Sequence, residues 1–406
     1  MTQTAPSDPR SVPLARRVRP ALGMLTAATF WTVTAEVLPS GLLRAMSQGL
    51  GVTEGAIGVL VSAWAVTIAI VGIPLVKLTM RVPRTVLLTV SLAATAPANL
   101  VTALAPDFTV ALVGRILAAT AHGLFWALVV SYVATIVAPQ RLGRALSLVL
   151  AGPTLAGLAG LPAAALIAEY TGWRWVSIGL SLILAVTAAV LWLTLPRRRV
   201  DPAVGEPTAT WDGSARAVVF VAVGGGLVLV GHFAAFTYVT ALVTGRNGLS
   251  AAAIPAILLI LGVTGGAGVI VSGVAADRLP RTALFCASAL VAVGLAFLLL
   301  GHEPAVFIAG IVVWGFAIGA FPPILQARVL RLSSPAFRPL AGSIVVTVLN
   351  LGVAAGATAG GLALPHGQTS LLLTALLITS TGAAAVAAAA RSATATPGQD
   401  TGDAIG

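Results

Sequence analysis

One carboxylate, Glu36, falls deep inside an apolar stretch of the chain. An ionised acid there costs roughly 2.5 to 3.5 kcal/mol on insertion scales, so it needs a cation, a wet cavity or a bound proton. Arg115 is the one cation within another such stretch. His122 lies further along the same stretch, with Trp126 one turn on and on the same helical face. A carboxylate beside a guanidinium in an apolar medium can gain and lose a proton: desolvation favours the neutral acid, and the nearby cation favours the ionised one. His232 and Tyr238, Trp314 and Gln326, and Asn350 are the other polar or amphipathic side chains expected within apolar stretches. Each suits contact with a planar cargo, and each suits equally a hydrogen bond between helices.

The elements that must position these residues are twelve apolar runs, expected near 21–43, 56–77, 85–104, 109–137, 143–168, 173–195, 215–243, 252–275, 281–300, 304–331, 338–364 and 368–391. At 1.5 Å per residue each crosses about 30 Å of hydrocarbon as a helix. The chain is 58% hydrophobic and 9% charged, with a mean hydropathy of +1.01; a soluble domain carries about 25% charged residues. The fold class expected is all-α and membrane-spanning. Depth arithmetic places Glu36 about 8 Å and Arg115 about 9 Å from the same surface. A Glu36–Arg115 pair is therefore expected, acting either as a proton-sensitive couple or as a lock between two helices.

The net charge of +11 belongs to topology rather than to nucleic-acid binding. With the N-terminus in the cytoplasm, nineteen of the 23 Lys and Arg fall on that side, which orients both termini inward. The first run is too long for a signal-peptide core. A single cysteine, Cys286, excludes an internal disulfide framework. No GxxxxGK[ST] loop is present, so ATP is not the expected energy source. Neither a metal constellation nor paired catalytic carboxylates appear, so no cofactor and no enzymatic activity are expected. The preference for Arg over Lys fits a GC-rich bacterial genome.

The chain also repeats itself at an offset of 197 residues. Arg81-Val82-Pro83-Arg84-Thr85 recurs as Arg278-Leu279-Pro280-Arg281-Thr282, and Gly51-Val52-Thr53 recurs as Gly248-Leu249-Ser250. The organisation expected is a cytoplasmic tail (1–20), a six-helix bundle (21–195), a linker (196–214), a second bundle (215–391) and a disordered tail (392–406). Parallel six-helix repeats joined by a central linker resemble the major facilitator superfamily.

Thr34-Ala35-Glu36-Val37-Leu38-Pro39-Ser40-Gly41 resembles the first-span motif of that family's 12-span drug:proton antiporters. Gly114-Arg115 with Ala121-His122-Gly123-Leu124-Phe125-Trp126 is similar to the fourth-span motif of its bacterial sugar, purine and drug efflux branch. Gly231-His232-Phe233 with Tyr238 is similar to the seventh. Gly152-Pro153 with Gly157 resembles the antiporters' fifth-span signature. The resemblance implies proton-coupled efflux by alternating access, in a bacterial cytoplasmic membrane and as a monomer. A cytoplasmic gate is implied around Asp277, Arg278 and Arg281, with Arg81 and Arg84 in the weaker first copy. Proton coupling would rest on Glu36, Arg115 and His122. Cargo would meet His122, Trp126, His232, Tyr238, Trp314, Gln326 and Asn350. Small amphipathic molecules fit the apolar lining best. A sugar, nucleoside or metabolite exporter is the alternative, and a non-transporting receptor on the same fold a more distant one.

Overall fold

The computed structural model describes residues 12–79, 82–137, 141–196, 211–245 and 249–392. The expected tails and linker lie largely outside them, as does Arg81. Among the described residues, twelve helices are long and apolar enough to cross a membrane, and no strand occurs. The spans are, in order, Val12–Gly41, Glu54–Thr79, Arg84–Leu104, Phe108–Ile136, a three-part fifth span from Leu142 to Thr171, Trp173–Thr194, Ala215–Phe236, Ile254–Arg278, Ala283–Leu300, Pro304–Leu332, Arg338–Ala363 and Gln368–Ser392. Side chains such as Ile70, Leu193 and Ile270 stand 66–79% exposed, as the oil-facing surface of a membrane protein requires. Only helices close all their backbone hydrogen bonds internally in that medium.

Spans 1–6 and 7–12 form two bundles with the same internal pairing. Span 3 packs on 4 and 6, span 2 on 4, and span 1 on 5 and 6; spans 9, 8 and 7 repeat these contacts with 10, 11 and 12. The bundles meet where span 2 packs on span 11 and span 5 on span 8, pairs that exchange under a pseudo-two-fold axis. Backbones approach closely where side chains are absent. A methyl on Gly356 would lie 2.5 Å from the Val230 carbonyl of span 7.

Three irregularities depart from the expected uniform helices. Span 1 breaks at Leu42 and continues as the short helix Leu43–Leu50. Span 7 ends at Phe236, not at 243, and resumes as Val239–Val243 beyond a break at Thr237 and Tyr238. Span 5 runs as Leu142–Leu155, widens into a π turn at Ala156–Gly160 and resumes as Leu161–Thr171. The cause of the fifth-span distortion begins at Pro153, which has no N–H to give to the Val149 carbonyl. Thr29 of span 1 donates to that carbonyl instead, at 2.7 Å.

Candidate functional site

The same proline logic builds the centre of the site. Pro39 cannot bond the Ala35 carbonyl four residues back. Arg115 reaches across from span 4 and donates from Nη1 to Ala35 O and from Nη2 to Glu36 O, both at 2.7 Å. Its guanidinium is buried and lies 4.0 Å from the centroid of Trp64 on span 2, within cation–π range. One residue thus ties spans 1, 2 and 4 together.

The expected Glu36–Arg115 side-chain pair is replaced by a different one. The Glu36 carboxylate faces His122, with Oε2 3.4 Å from Nε2, while Arg115 holds the main chain of Glu36. Helix geometry explains the exchange. Spans 1 and 4 run antiparallel, and Cα–Cβ bonds tilt toward the N-terminus of each helix. The Glu36 side chain therefore leans toward the face that carries the termini, and His122 leans away from it, so the two meet. Helical carbonyls point toward the C-terminus, so those of Ala35 and Glu36 are presented to Arg115 on the other side.

His122 is buried, whereas Glu36 keeps 23% of its side chain exposed. The imidazole stands edge-on to Trp64 at 5.1 Å and tilted toward Trp126 at 6.1 Å. Around this pair four buried polar atoms find no partner: Trp64 Nε1, Arg115 Nε, His122 Nδ1 and Trp126 Nε1. Buried donors and acceptors are normally satisfied, so their concentration at one place marks where water or a ligand is to be held. Trp64 carried no motif. Its place within an apolar run gave no signal beyond core packing.

The second bundle has a counterpart. Position 35 plus the 197-residue offset is 232, and His232 makes the corresponding tie from span 7 to span 10. Its Nδ1 accepts from Trp314 Nε1 at 3.0 Å. The ring stacks on Phe236 at 5.3 Å and stands edge-on to Phe233 at 4.7 Å. Trp314 is fully buried.

Tyr238 sits elsewhere. It is fully buried between the bundles, donates to the Ala357 carbonyl of span 11 at 2.7 Å and rests directly on Gly58 of span 2. Beside it, Ser62 of span 2 bonds Ala354 O and Thr358 Oγ1 of span 11, each at 3.0 Å. These contacts seal the face remote from the termini. Gly157 lies in the π turn against Gly262 of span 8, which has no room for a methyl, and Gly152 is seated on Thr29.

Gln326 is exposed. Asn350 donates back to Val346 O of its own helix at 2.9 Å. Asp277 pairs at 2.7 Å with Arg331, at the end of span 10 in its own bundle; Arg278 and Arg281 are exposed beside it. The Asp277–Arg331 tie links two spans of one bundle rather than bridging the two bundles. Arg84 is half-exposed at the start of span 3.

Comparison with known proteins places this geometry. A family model described as Major Facilitator Superfamily matches residues 21–281. The chain is 32% identical over 384 residues, covering 92% of both sequences, to a chloramphenicol efflux pump of Mycobacterium tuberculosis strain CDC 1551 / Oshkosh. The same values hold for the pump of strain H37Rv. Among solved structures, it resembles an inward-facing, unoccupied bacterial homologue of the human lysosomal transporter Spinster, with a TM-score of 0.76 and 16% identity over 95% of this chain and 98% of that one. It also resembles the peptide transporter POT in complex with sulfate, with a TM-score of 0.73 and 13% identity over 92% and 94%.

Proposed function

The chain belongs to the major facilitator superfamily, a family of membrane transporters rather than enzymes, and from that premise we propose that it exports small amphipathic molecules by proton-coupled antiport. Chloramphenicol is the first cargo to test, because the relatives that match along nearly the whole chain are chloramphenicol efflux pumps. The observation that carries the coupling is the Glu36–His122 pair: a half-open carboxylate against a buried imidazole, ringed by unpartnered polar atoms.

The mechanism follows from which face is sealed. Tyr238, Gly58, Ser62 and Thr358 close the face remote from the termini. With the termini in the cytoplasm, the orientation that the distribution of Arg supports, we read this as the inward-open state, ready to load cargo. Cargo that donates a hydrogen bond to the Glu36 carboxylate favours its ionised form, so loading releases a proton to the cytoplasm. After the bundles rock to the other state, a proton arriving from outside neutralises Glu36, and cargo leaves. The return with a neutral carboxylate avoids carrying a bare charge through the closed seam. Each proton moved contributes about 2.3 kcal/mol per 100 mV to the cycle. The Asp277–Arg331 tie holds the ends of spans 8 and 10 together, so that the second bundle moves as one body. The protein works as a monomer in the cell membrane in this scheme.

Reconstituted protein tests the proposal. An imposed pH gradient is expected to drive radiolabelled chloramphenicol against its concentration gradient in proteoliposomes, and Glu36→Gln is expected to leave only downhill exchange. Uphill transport by the Glu36→Gln variant at the wild-type rate contradicts the coupling, and no cargo movement by wild-type protein contradicts the export reading.

A further inference from the structure

Each bundle buries one histidine, His122 in the first and His232 in the second, but their surroundings give them different chemistry. His122 faces a carboxylate. The two ion pairs among the described residues, Glu36–His122 and Asp277–Arg331, do not involve His232, which is buried among Phe233, Phe236 and Trp314. Indole Nε1 carries a hydrogen and has no acceptor capacity. At 3.0 Å from His232 Nδ1, it requires a lone pair on that nitrogen, so the ring proton resides on Nε2. A second proton on the ring would set two N–H groups against each other in a low-dielectric site, where an unpaired charge is expensive. The ring is therefore held as one neutral tautomer with Nε2–H as its donor. That nitrogen makes no hydrogen bond with any described residue, and it is absent from the polar atoms that are both sealed and unpartnered. It is buried, unsatisfied and still reachable.

We propose that His232 is the uncharged donor by which the second bundle recognises cargo. It reads an oxygen acceptor on a neutral aromatic molecule, whose ring lies on the shelf made by Phe233 and Phe236. The two phenyl rings stand at 90° to one another, 5.8 Å apart, and both are half-exposed. They offer one face and one edge to a planar guest, as aromatic groups prefer. Lipophilic cations are disfavoured here, because an ammonium brings no acceptor to Nε2–H and finds no carboxylate. This rests on the export reading above and adds to it the selection of cargo: the first bundle handles the proton, and the second handles the acceptor.

The two roles of the imidazole separate by substitution. His232→Asn places a carbonyl oxygen near the position of Nδ1, which keeps the tie to Trp314 and removes the outer donor. His232→Gln extends an amide N–H₂ toward the position of Nε2 and restores the donor. The protein is embedded in nanodiscs, with its histidines labelled with ¹⁵N and the His232 signal assigned by its loss in the variants. The expected spectrum shows the Nε2–H neutral tautomer for His232 at neutral pH, with a signal that moves when the probe of the transport assay saturates the protein. His232→Asn is expected to keep the wild-type melting temperature and to weaken probe binding about tenfold, the equivalent of one lost hydrogen bond near 1.4 kcal/mol. His232→Gln is expected to bind within about threefold of wild type.

An imidazolium or Nδ1–H form in the spectrum overturns the inference. So does probe binding with an unmoved His232 signal, or a His232→Asn variant that binds as tightly as wild type. Absence of probe binding by wild-type protein removes the export reading together with this one, so the two failures are told apart.

Discussion

Removing the Thr29 hydroxyl should expose how the fifth span is held in its bent form. Thr29 is buried, and its Oγ1 lies 2.7 Å from the Val149 carbonyl that Pro153 leaves unpaired. Thr29→Ala orphans that carbonyl, at a cost of about 1 to 3 kcal/mol for an unsatisfied buried group, and deletes a methyl worth about 0.8 kcal/mol. Pro153→Ala supplies the missing N–H, so in that background Thr29→Ala should cost only the methyl. The coupling energy between the two positions is then about 0.6 to 3 kcal/mol, the lower figure being the average for interhelical hydrogen bonds in bilayers. Equilibrium unfolding of the four proteins in mixed micelles measures it through a double-mutant cycle. Thr29→Ser keeps the hydroxyl and should lose only the methyl contribution. A coupling below about 0.3 kcal/mol, within ordinary additivity, or a Thr29→Ser variant as damaged as Thr29→Ala, refutes the proline-compensation reasoning.

Gly58→Ala brings a methyl into the Tyr238 hydroxyl and should loosen the sealed face. In a Cys286→Ser background, a cysteine at the buried position 62 is expected to react faster with an impermeant maleimide added from that face, and an unchanged rate counts against Tyr238 as the seal. Where the second bundle begins, Asp212 is held below the usual carboxylate range by the Ser214 hydroxyl and then by Ser334. Its stabilising contribution is present above the unfolded value of about 3.9 and is lost as pH falls through the depressed folded value. Asp212→Asn should therefore lower the melting temperature at pH 7 and narrow its gap to wild type at pH 3; an equal gap at both pH values contradicts this.

The twelve spans were legible because length and hydropathy alone decide whether a helix can cross a bilayer. Most of their ends fell within a few residues. The break at Tyr238 was not legible, since apolar composition continues through it, whereas span 1 was expected to end at 43, beside its break at Leu42. Pro153 announced a distortion of span 5, but not the π turn at Ala156–Gly160 that it takes. At the site, a buried acid in span 1 and a basic partner in span 4 could be read from residue type, but depth arithmetic alone could not say which atoms would meet. It paired Glu36 with Arg115 because it treated side chains as points at the level of their Cα atoms. Tilt toward each N-terminus brought His122 to the carboxylate and left Arg115 with the carbonyls. Pro39 was a usable signal, for it announces one unpaired carbonyl at Ala35. The tie between His232 and Trp314 was hidden differently. The repeat offset equates His232 with Ala35, whose side chain has no comparable chemistry, so only the fold reveals that both positions fasten a broken helix to the fourth helix of its bundle.

Glu36 as the proton carrier requires that cargo and proton exclude one another in the state closed on the far face. Proton release on adding chloramphenicol to purified protein, followed with an indicator dye in weakly buffered detergent solution, measures this without a membrane or a gradient. Wild-type protein should release protons in proportion to cargo bound, and Glu36→Gln should bind cargo and release none. Equal release from both proteins would remove Glu36 from the cycle and leave its pairing with His122 as a helix contact.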